Sequence, residues 1–125
     1  MTENDISYMI RGALFTIYKE LGPGLLESTY EAVLKFELSC QGLAVRSQVP
    51  LPVVYKNIKL DVGYRIDLLI EEKVIIEIKS VEAICEVHHK QLLTYLKLSN
   101  CKLGILVNFN THDIGKSIFR KVNKL

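Results

Sequence analysis

The sequence predicts an α/β protein in which helices flank a small mixed β-sheet. Three observations lead to this fold class. The first forty residues repeat apolar side chains with helical spacing, whereas residues 45–79 are rich in β-branched residues separated by turn signals. A second helical stretch near residue 90 is followed by an apolar run near residue 105. The predicted order of elements is ααβββαβα, with the helices covering the sheet.

Length and composition fit one globular domain covering residues 1–125. Of the 125 residues, 49% are hydrophobic and 24% are charged, and the net charge of +2 is too small to predict nucleic-acid binding from bulk electrostatics. The three cysteines form no CxxC pair, so neither a disulfide framework nor a zinc site is expected. The N-terminus is acidic and no apolar run approaches a membrane span, which predicts a cytoplasmic protein without a membrane partner.

Two amphipathic helices precede the first strand. The first is predicted over residues 5–21, with Asn4 or Asp5 as its N-cap. The Gly-Pro-Gly sequence at 22–24 ends this helix, because proline cannot continue the hydrogen-bond ladder. The second helix is predicted to start directly afterwards and to end at a glycine cap at 41–42.

Three antiparallel strands are predicted next. The segment 49–55 contains two prolines, which favour the edge of a sheet. A hairpin turn at Lys56-Asn57 leads into a long strand over 58–70, in which Gly63 is expected to form a bulge. A short polar loop then leads into a third strand over 74–79.

The last third of the chain predicts a helix over 86–98, a strand over 103–109 and a final helix from Asp113. The inward face of this final helix would carry Ile114, Ile118 and Val122, and its outward face Lys116, Arg120 and Lys124. The basic stripe could grip phosphates, or it could be an ordinary solvated face.

Charged residues interrupt two of the predicted strands. Glu77 and Lys79 are two residues apart and therefore project from the same face of their strand. If Ile70 pairs with Val74 across the short loop, Asp67 lies directly opposite Glu77, with Cβ atoms about 5 Å apart. Opposed carboxylates repel each other, and a Mg²⁺ or Mn²⁺ ion between them would turn that repulsion into coordination. Lys79 could then stabilise a phosphoryl group or orient the attacking water.

Other polar residues have both a functional and a structural explanation. On the helix near residue 90, His88, Gln91 and Tyr95 share one face, which suits a site but also an ordinary amphipathic helix. Gln91 can position a lysine or a water, and Tyr95 can contact a phosphate or stack on a base. Glu27 lies in the first turn of the second helix, where it either complements the helix dipole or supplies a third acid.

With these positions laid out, the chain resembles the PD-(D/E)xK nuclease superfamily and, within it, the small family named for its GxxExxY motif. That motif is present as Gly24-Leu-Leu-Glu27-Ser-Thr-Tyr30. Asp67 and the triplet Glu77-Ile78-Lys79 follow, and Gln91-Leu-Leu-Thr-Tyr95 matches the QxxxY element of RecB-like nucleases. The segment from Gly104 to Asn110 resembles the last core strand, so that the resemblance covers residues 6–122.

The resemblance implies a restriction-endonuclease-like core and hydrolysis of nucleic-acid phosphodiester bonds with Mg²⁺ or Mn²⁺. Asp67 and Glu77 would ligate the ion, Lys79 would assist the attacking water, Glu27 would add an acid to the catalytic and metal-binding set, and Gln91 would support the site. We expect nucleic acid to contact Tyr30, His88, Tyr95, Lys116 and Arg120.

Two other functions stay open at this point. A nuclease fold could bind nucleic acid or a protein partner without cutting, although a site used only for binding does not need Lys79 beside the carboxylates. In an unrelated α/β domain, Asp67 and Glu77 would lie on opposite faces of the sheet. We favour a nuclease that acts on DNA over one that acts on RNA, and a homodimer would enlarge the small contact surface of so short a chain.

Overall fold

The computed structural model describes residues 1–125, which form a five-stranded mixed sheet with helices on both faces. The elements are α1 (Glu3–Leu21), α2 (Glu27–Cys40), β1 (Val45–Pro50), β2 (Val53–Tyr55), β3 (Ile58–Leu60), β4 (Arg65–Ile70), β5 (Val74–Lys79), α3 (Glu86–Ser99), β6 (Leu103–Asn108), a 3₁₀ turn (Ile114–Ser117) and β7 (Ile118–Val122). The strand order is β1-β4-β5-β6-β7, and only β5 and β6 run parallel. The predicted α/β class is confirmed.

The sheet separates two hydrophobic cores. Helices α1 and α2 pack on one face, against residues such as Leu68, Ile76 and Ile105. Helix α3 packs on the other face, against alternate residues such as Ile75 and Leu106. This division follows from the two-residue repeat of a strand, which sends successive side chains to opposite faces. No helix of the structure is long and apolar enough to cross a membrane.

The first helix begins earlier than predicted, at Glu3, and its N-cap is Thr2. The Thr2 hydroxyl accepts a hydrogen bond from the Asp5 N–H, and the Asp5 carboxylate accepts one from the Thr2 N–H. This capping box satisfies two backbone donors at once. The choice of Asn4 or Asp5 as the cap was therefore wrong, because the cap lies four residues before the first buried side chain, Ile6.

The predicted strand over 58–70 is two strands. Gly63 has φ +89° and lies between β3 and β4, so it marks a break in the strand and not a bulge. Strands β2 and β3 form a separate two-stranded hairpin, whose turn at Lys56 and Asn57 is confirmed, with both residues in the left-handed region. The predicted strand over 49–55 is also wrong: it divides at Leu51-Pro52 into the end of β1, which does lie at the edge of the five-stranded sheet, and β2 of the separate hairpin, because two prolines interrupt the ladder.

The final helix predicted from Asp113 is wrong. A single 3₁₀ turn is followed by β7, which pairs antiparallel with β6. Apolar residues four apart fit a helix, but a strand here satisfies the otherwise unpaired edge of β6. Lys116 and Arg120 consequently form no helical stripe: Lys116 lies on the turn, and Arg120 lies on β7 and donates to the Asn4 side chain.

Helix α3 lies close to β6 because the residue of β6 beneath the helix is a glycine, Gly104. A Cβ atom at Gly104 would come within 2.7 Å of Leu92 Cδ1 and 3.2 Å of Leu96 Cδ2. Both leucines are fully buried, so neither can easily move aside.

We expect Gly104→Ala to lower the free energy of unfolding by about 1–3 kcal/mol through overpacking. The matched control is Gly12→Ala on α1, where nothing lies within 4 Å of an added Cβ. This control should raise stability by about 0.5–1 kcal/mol, because alanine favours helix. Urea denaturation measures both, and a Gly104→Ala protein as stable as wild type would contradict the close packing of α3 on β6.

Candidate functional site

The site is built around two neighbouring carboxylates, Asp67 on β4 and Glu77 on β5. The predicted pairing of Ile70 with Val74 is confirmed, and the β4–β5 register continues to Leu68 opposite Ile76. One residue further along this register, Asp67 and Glu77 meet. The Asp67 N–H donates to Glu77 Oε2 at 2.9 Å, and the Ile78 N–H donates to Asp67 Oδ2 at 2.8 Å. Each carboxylate is therefore held by a backbone N–H of the opposite strand.

Burial governs the electrostatics of Glu77. Its side chain is only 3% exposed, on the sheet face that α3 covers. Burial, and next the charge of Asp67, raises the pKa of Glu77 to about 8, although the Asp67 N–H and the Lys79 ammonium act in the opposite direction. Without a cation, Glu77 therefore keeps its proton near neutral pH.

Asp67 and Lys79 complete the centre of the site. Burial also raises the pKa of Asp67, while the Ile78 N–H and the Lys79 charge oppose this shift. Lys79 is close enough to influence both acids, yet none of the three ion pairs of the chain includes it. Its ammonium group is consequently not committed to an internal partner.

The sequence analysis missed Glu31 and Gln48. The Gln48 amide donates to Glu31 Oε1 at 2.7 Å and to Asp67 Oδ1 at 3.4 Å. Burial, opposed by the Gln48 hydrogen bond and reinforced by Asp67, raises the pKa of Glu31. A signal for Glu31 was present, because it lies four residues after Glu27 and thus on the same face of α2. Gln48, with φ +51° within an edge strand, has no such signal.

Glu27 lies at the rim of the site. Its Oε2 accepts a hydrogen bond from the Ser80 N–H at 3.0 Å, and the Ser80 hydroxyl donates to the Leu25 carbonyl at 2.7 Å. The start of α2 is thereby tied to the residue after Lys79. An open cleft of about 790 Å³ lies here, lined by side chains that include Glu27, Glu31, Gln48, Asp67, Ser80 and Asn110.

A smaller groove of about 400 Å³ lies along α3. Gln91 donates to the Tyr95 hydroxyl at 3.2 Å, and burial, together with Glu77 and Asp67, raises the pKa of Tyr95. Gln91 is thus bonded to a residue that the charges of the acid pair influence, and its supporting role stays a prediction. The groove is lined by side chains that include Tyr64, His88, Lys90, Gln91, Thr94 and Tyr95.

Two tyrosines predicted to contact nucleic acid are buried. Tyr30 is fully buried and stacks on Phe109 with ring centroids 4.0 Å apart. Its hydroxyl donates to the Gly22 carbonyl and accepts from the Leu25 N–H, so that it anchors the segment before α2. Tyr95 is 3% exposed. Burial leaves neither ring a face free for stacking on a base, and contact of nucleic acid with these two residues stays a prediction.

The remaining predicted nucleic-acid contacts are spread over the molecule. His88 Nδ1 accepts a hydrogen bond from the Cys85 N–H at 2.9 Å, so one ring nitrogen serves to cap α3. Lys116 and Arg120 follow β6, and β7 is separated from β5 by that whole strand. Neither basic residue is among those that line the cleft, and their contact with nucleic acid stays a prediction.

The donor set of the acid pair fits a hard divalent cation. Glu77 Oε1 accepts no hydrogen bond within the chain, and Asp67 Oδ1 accepts only the 3.4 Å one from Gln48. Two carboxylate oxygens are thus left available beside an acidic cleft, and carboxylate oxygens are what Mg²⁺ and Mn²⁺ prefer. No three His, Cys, Asp or Glu side chains cluster closely enough to form a metal site by themselves. Glu27 is therefore not gathered with the pair into one ligand set.

Comparison with known proteins agrees with this geometry. A search of curated proteins finds no match, and a search of solved structures finds none. A family model described as the PD-(D/E)XK nuclease superfamily matches residues 4–121. That match includes all but the first residue of α1 and the last residue of β7, together with every residue of the site, and the chain belongs to the PD-(D/E)XK nuclease superfamily.

Proposed function

We propose that this protein hydrolyses phosphodiester bonds of nucleic acid with the help of a divalent cation, Mg²⁺ or Mn²⁺. The observation that carries the proposal is the pair formed by buried Glu77 and half-buried Asp67 beside the uncommitted Lys79, where Asp67 lines an open cleft. A purely structural acid in a sheet is normally neutralised by an ion pair, and neither carboxylate has one within 4.0 Å.

Asp67 and Glu77 would hold the cation through the oxygens that the backbone leaves available. When bound, a divalent ion neutralises charge on the phosphate and lowers the pKa of water. The two backbone N–H groups from the opposing strands fix the orientation of both carboxylates before any ligand binds. Glu77 must lose its proton for this role, so the ion-free site is best prepared above about pH 8, and ion binding at lower pH must displace that proton.

Lys79 acts on the substrate. Its side chain leaves the same strand face as Glu77, one pleat further along, and is partly exposed. We assign its ammonium group to a non-bridging phosphate oxygen or to the attacking water, where a positive charge stabilises the developing negative charge. Gln91, which is hydrogen-bonded to Tyr95, would support this centre from α3. Glu27, which is hydrogen-bonded to Ser80, would support it from α2.

The nucleic acid would lie across the cleft and continue toward the groove along α3. The cleft is acidic, so contact with a polyanion there depends on the bound cation, whereas the groove offers Lys90 and His88. We propose DNA as the substrate in preference to RNA. A homodimer and a cytoplasmic location stay predictions from the sequence.

Replacing Glu77 or Lys79 by alanine should reduce cleavage of single- and double-stranded DNA and RNA by about 100-fold or more, because each removes a charge at the reacting phosphate. The matched control is Lys97→Ala, which removes an exposed lysine from the last turn of α3. Gel assays with Mg²⁺ and Mn²⁺ on identically purified proteins measure the rates.

Equal activity in all four proteins would contradict this site. Binding of oligonucleotides by a wild-type protein that cuts none of the four substrates would favour the alternative function, a nuclease fold that binds without cutting.

Without divalent ions, wild-type stability should fall relative to Glu77→Gln as pH rises from about 4.5 to about 8. In this window the unfolded chain has lost the Glu77 proton while the folded protein keeps it, so rising pH favours unfolding. The stability difference should change by at most about 1.4 kcal/mol per pH unit. Urea denaturation in EDTA measures it, with Glu82→Gln, at an exposed position, as control. Parallel pH curves for wild type and Glu77→Gln would refute the raised pKa.

A further inference from the structure

Apart from two tyrosines, Glu77 and Asn108 are the only buried residues of the protein with a polar side chain. Asn108 is 4% exposed and is the last residue of β6, where it pairs with Lys79 in the parallel register. A buried amide is costly unless its donors and acceptor are satisfied. Asn108 therefore needs a structural or functional explanation, and the metal and substrate roles proposed above do not use it.

The amide of Asn108 is bonded almost completely to backbone. Its Oδ1 accepts from the N–H groups of Val81 at 3.1 Å and Asn110 at 3.2 Å, and its Nδ2 donates to the Val81 carbonyl at 2.9 Å. The Asn108 side chain thus bonds both the N–H and the carbonyl of Val81, as the backbone of a neighbouring strand would. The ladder of β5 ends at Lys79, and the side chain continues the pairing two residues beyond it.

This bridge holds the segment that follows Lys79. The Lys79 carbonyl accepts from the Phe109 N–H at 3.0 Å, and Ser80 is bonded to Glu27 and to the Leu25 carbonyl. The end of β5, the end of β6 and the start of α2 consequently meet at residues 79–81. Among the residues that make these contacts, Asn108 is the only buried one whose side chain both donates and accepts hydrogen bonds.

We infer that Asn108 is a positioning residue: its amide fixes the strand end that carries Lys79 and, through Ser80, the position of Glu27. The catalytic part of this inference rests on the proposed function. The structural part rests on the hydrogen bonds alone. A lysine side chain is long and flexible, so its backbone must be held if the ammonium is to stay near the reacting phosphate. Asn108 itself touches neither substrate nor ion.

The test compares Asn108→Ala and Asn108→Asp with Gly104→Ala. Gly104 lies on the same strand, and its substitution destabilises β6 without touching residues 79–81. Asn108→Asp keeps the size and the acceptors but loses the donor to Val81 when ionised. Two measurements are made well below the melting temperature: steady-state cleavage kinetics with Mn²⁺, and backbone hydrogen exchange of the ion-free proteins.

We expect Asn108→Ala to lower kcat about 30- to 100-fold with KM changed less than about 3-fold, because misplacement of a catalytic group acts mainly on the chemical step. Asn108→Asp should lie between this variant and wild type. Exchange at residues 79–82 should rise about tenfold or more in Asn108→Ala and stay unchanged in Gly104→Ala.

A kcat of Asn108→Ala within about threefold of that of Gly104→Ala would overturn the catalytic part of the inference. Unchanged exchange at residues 79–82 would overturn the positioning itself. If the wild-type protein cleaves no nucleic acid, the proposed function fails, and the exchange measurement still decides whether Asn108 holds this segment.

Discussion

A buried carboxylate can lie beside a second carboxylate in a β-sheet only if surrounding groups compensate for lost hydration and mutual repulsion. For Asp67 and Glu77 these groups are backbone N–H donors from the two strands and the charge of Lys79. They are in place only at a single register of β4 and β5, because a shift of one residue moves a carboxylate to the other face. The tight turn at Glu71 and Glu72, both in the left-handed region, holds that register. Every functional assignment therefore depends on this turn and this pairing.

The other parts of the site follow from the ends of the elements. Strands β5 and β6 run parallel and end together, β4 begins at the same edge, and α2 starts beside it. Groups at these ends have unpaired backbone donors and acceptors, and side chains such as Asn108, Ser80 and Glu27 bond to them. The same hydrogen bonds that finish the secondary structure thus orient the candidate catalytic groups. One set of hydrogen bonds thus serves both purposes in a chain of 125 residues, which has few elements from which to build a site.

The parts of the fold that the sequence predicted correctly depend on local patterns. The hairpin turn at Lys56 and Asn57 and the strand 74–79 carry strong short-range signals, and both are present as expected. The C-terminal segment failed because Ile114, Ile118 and Val122 satisfy a helical spacing as well as a strand can. What selected the strand was the free edge of β6, which the side-chain spacing within the segment itself does not report.

The sequence by itself determined the β4–β5 pairing, and with it the meeting of Asp67 and Glu77, because the short polar loop at 71–73 pairs Ile70 with Val74 and the strand repeat sets the other pairs. Tertiary structure alone decided that Tyr30 and Tyr95 are buried, that Gln48 and Glu31 join the acids, and that the C-terminal segment is a strand and not a helix. The reason is physical: periodicity reports which face of an element is apolar, whereas the partner of each polar group depends on which elements meet at one edge of the sheet.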